Sequence, residues 1–444
     1  MQTNTQSYFY TLADFLNTQL KGDEIFTSWL SGERSDFIRL NQSKIRQPGS
    51  VNQYSIELVL IDGKRHAGGE LRLSGDSEVD RTQLKALLEQ LRNKLPFLPE
   101  DPHLLYATEQ HSSELIDSTP LPSAEESVSE ALQLSEGLDL VGIYAQGQLE
   151  RGFANSLGQR NWFSRGNFNF DWSLYSHGDK AVKCSYAGLD WDSAALEKKF
   201  AAAREQLPIL TRPAKTIPPG NYRVYLTPSA THELFSLLSW SAFSRKATRT
   251  RQTPLLKLVE GEETLSPLLS ISEQTAEGIG PDFEAAGFIK SKSVSLIEGG
   301  RFVGPLTSPR SAKEFQCQTD GANASEVPEA LQVAGGSLKE EDILKKLDTG
   351  LYISNLWYLN FSDRTSCRVT GMTRFATFWV ENGEITAPLN VMRFDESMYR
   401  ALGPNLVDLT EKRDFILDPD TYYQRSCTSA KLPGALIDQF RLTL

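Results

Sequence analysis

His232-Glu233 is the pair in this 444-residue chain whose types most directly suggest chemistry. HE opens the zinc-protease signatures, in which one helix face presents two imidazoles and the glutamate polarises a metal-bound water. Such a site needs a second ligand about one turn further on. Ser236 and Leu237 occupy those places, and neither replaces an imidazole. No histidine follows His232 anywhere in the chain. The same residues also fit a plain helix start, with Thr227 as cap, Pro228 in the first turn and Glu233 solvated near the positive end of the dipole. His232, Ser236 and Ser239 then form a polar stripe, and Leu234, Phe235 and Leu238 face inward.

Cys427, in QRSCTSAKLPGALI, has the chemistry of a thiolate ligand, or of a nucleophile if a histidine lies near it in space. An inert thiol is the plain alternative for it and for Cys184, Cys317 and Cys367, which are widely spaced and form no CxxC pair. The aromatics of NWFSRGNFNFDWSLY offer stacking surface for a ligand, or the core face of a strand. No Walker-type loop, GxSxG elbow or GxGxxG fingerprint follows a convincing strand.

These residues must be positioned by helices and strands that the periodicity locates. Residues 7–20 place Phe9, Leu12, Phe15 and Leu16 at helical spacing. Residues 24–74 alternate apolar and polar types as a strand meander, with turns expected at Gly32-Glu33-Arg34-Ser35 and Asp62-Gly63. A Leu-rich helix ending near Pro96 closes a first α+β domain, 1–98. Prolines among Ser, Asp and Glu make 99–124 a linker. A central α+β domain, 125–217, holds the aromatic strands and a helix capped by Asp192. From 218 to 444 a strand, YRVYL, and a helix over SATHELFSLLSWSAFSRKA lead into short apolar segments, with a hairpin at Glu381-Asn382-Gly383. The fold class expected is α+β: an N-terminal α/β region of two small units, then a large, mainly antiparallel β domain.

Composition narrows the function. The net charge is −11 with Lys and Arg scattered, which argues against neutralising nucleic-acid phosphates. The opening MQTNTQSYFYTLADF has neither a basic n-region nor a long apolar run, so a cytoplasmic protein without a membrane anchor is expected.

Several segments of the last domain, in order, resemble the TldD/PmbA family of peptide-processing metalloproteases. PPGNYRVYLTPSATHELFSLL is similar to its entry of strand, proline and helix. SVSLIEGGRFVGPLTSPRSAKEFQCQTDGANAS and the long run ending in RFATFWVENGEITAPL follow its later pattern. The catalytic TldD branch carries HExxxH on the entry helix. Matching YRVYLTP without gaps puts those ligand positions at Ser236, Leu237 and Ser241, one turn beyond His232-Glu233. Sliding the match onto His232 and Glu233 puts the second histidine position at Leu237. Cys427 falls where the family has a further cysteine ligand, although the Gly-Lys-Asp-Gly that follows it there is absent.

The resemblance therefore implies the TldE/PmbA branch: a non-catalytic subunit with no zinc of its own. It would pair with a TldD-like, zinc-bearing catalytic subunit, or with itself, around a tunnel for unfolded or extended peptides. Peptides would bind by adding to a strand edge. Two other readings stand beside this one. The first is an active metal- or Cys-dependent peptidase with a non-standard site, built for example from Cys427 with His232 or with carboxylates. The second is a stand-alone peptide-binding or regulatory homodimer.

Overall fold

A computed structural model describes residues 4–444. The N-terminal half is α1 (Thr5–Thr18), β1 (Ile25–Asn41), β2 (Lys44–Asp62), β3 (Arg65–Arg72), α2 (Ser77–Lys94), β4 (Ser113–Asp117), α3 (Ala124–Leu134), β5 (Asp139–Asn155), β6 (Arg160–His177), β7 (Lys180–Gly188) and α4 (Ser193–Leu210). All seven strands form one sheet, in the order β3-β2-β1-β5-β6-β4 with β7 also on β6. The two small units expected here thus share a sheet. β1 pairs along its length with β2 on one side and β5 on the other, so the boundary placed at 99–124 cuts across one hydrogen-bonded layer. That segment is itself partly strand, because β4 lies parallel to β6.

The meander's first turn also lies elsewhere. Gly32–Ser35 sits in the middle of β1, and the chain reverses at Gln42 and Ser43, both at positive φ. Gly32 serves close packing: a Cβ there would stand 2.6 Å from the Tyr54 ring. A turn composition in mid-strand marked a crowded face.

Alternation along the strands gives this sheet two unlike faces. One carries Phe26, Leu30, Ile56, Leu58 and Leu60 against α1 and α2. Further along, the same face carries Phe168, Phe170 and Trp172 against α4. Trp172 is stacked between Phe170 and Phe200, with centroids 4.2 and 5.1 Å away. The aromatic stretch is therefore largely core. Its alternate residues, Arg165, Asn167, Asn169 and Asp171, project to the opposite face, which carries no helix and looks toward the C-terminal half.

The C-terminal half supplies β8 (Gly220–Leu226), α5 (Pro228–Ser239), β9 (Ile271–Glu273), β10 (Val294–Glu298), β11 (Arg301–Phe302), β12 (Ala330–Val333), β13 (Gly350–Asp363), β14 (Arg368–Glu381), β15 (Glu384–Pro388), β16 (Arg393–Ser397), β17 (Leu406–Leu417) and β18 (Ser429–Leu442). They form an eleven-stranded sheet in which β8 pairs with both β13 and β18, so the circuit β8-β13-β14-β16-β18 closes on itself. The fold is α+β, with mostly antiparallel strands, as expected. Asn382 and Gly383, at positive φ, make the expected hairpin turn. The two halves are joined by Ala107 N–H to the Ala286 carbonyl (2.9 Å), the Arg310–Asp101 ion pair (2.6 Å) and Lys199–Asp414 (3.2 Å). No helix among the described residues is long and apolar enough to cross a membrane.

Glu273, buried at the end of β9, accepts hydrogen bonds from the Glu329 and Ala330 N–H groups through Oε1 (3.1 and 2.9 Å). Desolvation pushes its carboxyl up to about 7 from an ordinary 4.5. A raised carboxyl favours the folded state while it is protonated, so its contribution is complete below about pH 4.5 and is lost as pH rises through about 7. Glu273→Gln keeps an acceptor for both N–H groups. It should stabilise the protein by roughly 2 kcal/mol at pH 8 relative to the parent and by almost nothing at pH 4.5, read by urea denaturation at the two pH values.

Candidate functional site

Thr227 caps α5 through a bond from Ala230 N–H (3.3 Å), with Pro228 in the first turn. The helix buries Ala230, Leu234, Phe235, Leu237 and Leu238. It ends at Ser239, shorter than the sequence suggests, because the chain turns at Trp240–Ser244 to bury Phe243, and Ser244 caps a new short helix.

His232 and Glu233 face a cavity of about 100 Å³ between α5 and the helix-free face of the N-terminal sheet, beside Asp171, Lys183 and Cys184. His232 Nε2 lies 3.2 Å from Ser236 Oγ, a hydrogen bond along the helix. Burial pushes the imidazole's pKa down, against the pull of Asp418, so it is neutral at pH 7. Burial raises the Glu233 carboxyl; Lys183 opposes the shift and Asp171 adds to it. Lys183 pairs with Asp171 at 3.3 Å.

The remaining candidate positions do not converge on this cavity. Leu237 is core, 3% exposed. Ser241 lies past the helix end and accepts a hydrogen bond from Arg364 Nη2 at 2.6 Å. Cys427 lies in the loop between β17 and β18, against Gly280, and is not among the cavity's walls. The thiol that does line the cavity, Cys184, is pushed up to about 12 by burial and so stays protonated and unreactive. Cys367 is a core residue with its thiol likewise pushed up to about 12.

A zinc ion of the HExxxH kind does not fit these residues. In either register a buried leucine or a serine stands where an imidazole is needed. Among the described residues no three His, Cys, Asp or Glu side chains are grouped to hold a metal.

What the geometry does build is a groove. The His232 cavity shares Asp171, Lys183 and Pro419 with a cavity of about 420 Å³. That one shares Arg39, Ile143 and Thr421 with another of about 350 Å³. The series ends in a cavity of about 570 Å³ at Trp29, reached past Gln53 and Tyr423. The path runs across the polar face of β1, β2, β5, β6 and β7, and the loop between β17 and β18 lies over it.

Arg425 fixes that loop. It is 4% exposed, and its guanidinium reaches Ser35 Oγ (3.3 Å), the Asn167 carbonyl (3.2 Å) and Asn167 Oδ1. Its backbone N–H bonds Glu33 Oε2 at 3.1 Å, which also accepts from Gln53 Nε2 at 3.1 Å. Desolvation lowers the guanidinium to about 10, and the buried Glu33 works against the shift. Sequence reasoning passed over Glu33, Arg425, Asn167 and Lys183. The available signal was the polar half of the NFNFDWS alternation.

A helix-free polar sheet face set against a closed mixed sheet, with a capped helix at one end of the groove between them, defines a class of fold shared by solved proteins. TldE of Thermococcus kodakarensis superposes with a TM-score of 0.78 at 15% identity, over 98% of this chain and 100% of that one. A protein proposed as a modulator of DNA gyrase from Thermotoga maritima gives 0.77 at 16% identity, again over 98% and 100%. A similarly described protein from Bacteroides thetaiotaomicron gives 0.75 at 13% identity, covering all of both chains. No curated protein sequence matches. The PmbA/TldA metallopeptidase C-terminal domain matches residues 219–444, half of the chain, and the chain belongs to that family.

Proposed function

We propose that this chain is a TldE/PmbA-like subunit of a metallopeptidase complex: it contributes the groove in which an unfolded or extended peptide lies and leaves the zinc chemistry to a TldD-like relative. The observation that carries this reading is the pairing of an intact groove with an incomplete ligand set, among the described residues, where the groove meets α5. A floor of Asn, Ser and Gln side chains suits peptide backbone groups, which need hydrogen bonds and no particular sequence. The zinc then belongs to the relative, and the complex to the cytoplasm.

Tagged protein expressed in its own host should bring down an HExxxH-bearing relative in near-equal amount. Recovery of the chain as a homodimer, with no such relative at any salt concentration, would overturn the partner assignment.

A further inference from the structure

At its far end the groove has a distinct chemistry. Trp29 stands directly opposite Glu57 in the β1–β2 ladder, and Glu57 directly opposite Glu70 in the β2–β3 ladder, so the three side chains form one row on the groove face. All three line the cavity of about 570 Å³. Like charges directly opposite on a sheet repel. Partial desolvation and Glu70 both push the Glu57 carboxyl up, and no cation among the described residues opposes the shift. Arg72 borders the same cavity.

Further along the path the next carboxylate is Glu33, which the buried Arg425 guanidinium faces. Glu33 is 1% exposed, lines the adjoining cavity, and its Oε1 has no hydrogen-bond partner. The Trp29 indole is held by its N–H to Ser31 Oγ (3.1 Å) and by an edge-to-face contact with Phe283 (ring centroids 5.6 Å apart), a fixed aromatic wall beside the carboxylates. A fixed indole next to the facing carboxylates of Glu57 and Glu70 is an arrangement that recognises an organic cation.

We propose that this end of the groove takes the basic side chain of an extended peptide, with a lysine or arginine lying against Trp29 and its charge between Glu57 and Glu70. The proposal rests on the groove being a peptide cleft and adds which peptides it prefers. The cavity's continuity with the rest of the groove makes a side chain of a longer ligand the fitting occupant. A cationic end placed there relieves the Glu57–Glu70 repulsion.

The test uses the full chain and two labelled, unstructured peptides, a Gly-Ser-Lys repeat and a Gly-Ser-Gln repeat, so that every register offers the same side chain. Fluorescence anisotropy should show the lysine repeat binding about tenfold tighter. That preference should vanish in Glu57→Gln/Glu70→Gln, whose sites are exposed enough for the fold to persist, as a thermal melt will verify. Equal binding of both repeats by the parent overturns the basic-side-chain site and leaves the peptide cleft standing. A lysine preference that survives the double substitution overturns it too, because the attraction is then that of the net-acidic surface at large. Failure of both repeats to bind overturns the cleft itself.

Discussion

Arg425→Ala should destabilise the protein by about 3 kcal/mol and release the loop between β17 and β18. The substitution removes hydrogen bonds to Ser35 and Asn167 from a charged donor, each worth about 1.5–3 kcal/mol. It also removes a positive charge that the buried Glu33 carboxylate favours. Water entering behind the freed loop returns part of that. Denaturant unfolding gives the magnitude, and limited proteolysis gives the location, since cleavage should appear within residues 418–428. Arg425→Lys should recover little, because a single ammonium cannot span Ser35 and Asn167 as the planar guanidinium does. An unchanged unfolding midpoint with no new cleavage site would mean that the loop is held by other contacts.

The largest effect is expected in catalysis. Alone, the chain should hydrolyse extended peptides at least about a thousandfold more slowly than its mixture with an HExxxH relative, if the metal that generates the nucleophile and polarises the carbonyl is the relative's as proposed; among the described residues no three ligand side chains are grouped at α5. His232→Ala should leave the activity of the mixture within about twofold, since the ring is half-buried, uncharged and bonded to Ser236. A steady-state peptidase assay with and without the relative reads both results. Activity of the chain alone that falls with His232→Ala would instead make His232 a working residue.

Much of this was legible in the sequence, and the gaps have physical causes. Thr227, Pro228 and the spacing of Leu234, Phe235 and Leu238 announced α5, because capping and periodicity are local signals. Its early end was not legible: the burial of Phe243 that terminates it is a tertiary event. Asp62-Gly63 and Asn382-Gly383 were readable turns, since positive φ selects for such residues. Gly32-Glu33-Arg34-Ser35 has the same composition for a different reason, the closeness of the Tyr54 ring and a carboxylate buried in the groove face. At the candidate site the absence of a second imidazole was plain from the sequence. The meeting of Arg425 with Glu33, almost four hundred residues away, follows only from the packing of one half on the other, as does the groove that they help to shape.

Metal content tests the central claim most directly. Zinc should be measured by inductively coupled plasma mass spectrometry across a gel-filtration profile of the chain, alone and with an HExxxH relative. The chain alone should carry well under 0.1 zinc per molecule, on the order expected when one thiol is the sole ligand left of a site that needs at least three. In the mixture zinc should follow the relative. One zinc per chain in the isolated protein, lost in Cys427→Ala, would contradict the account and establish a metal centre of the chain's own.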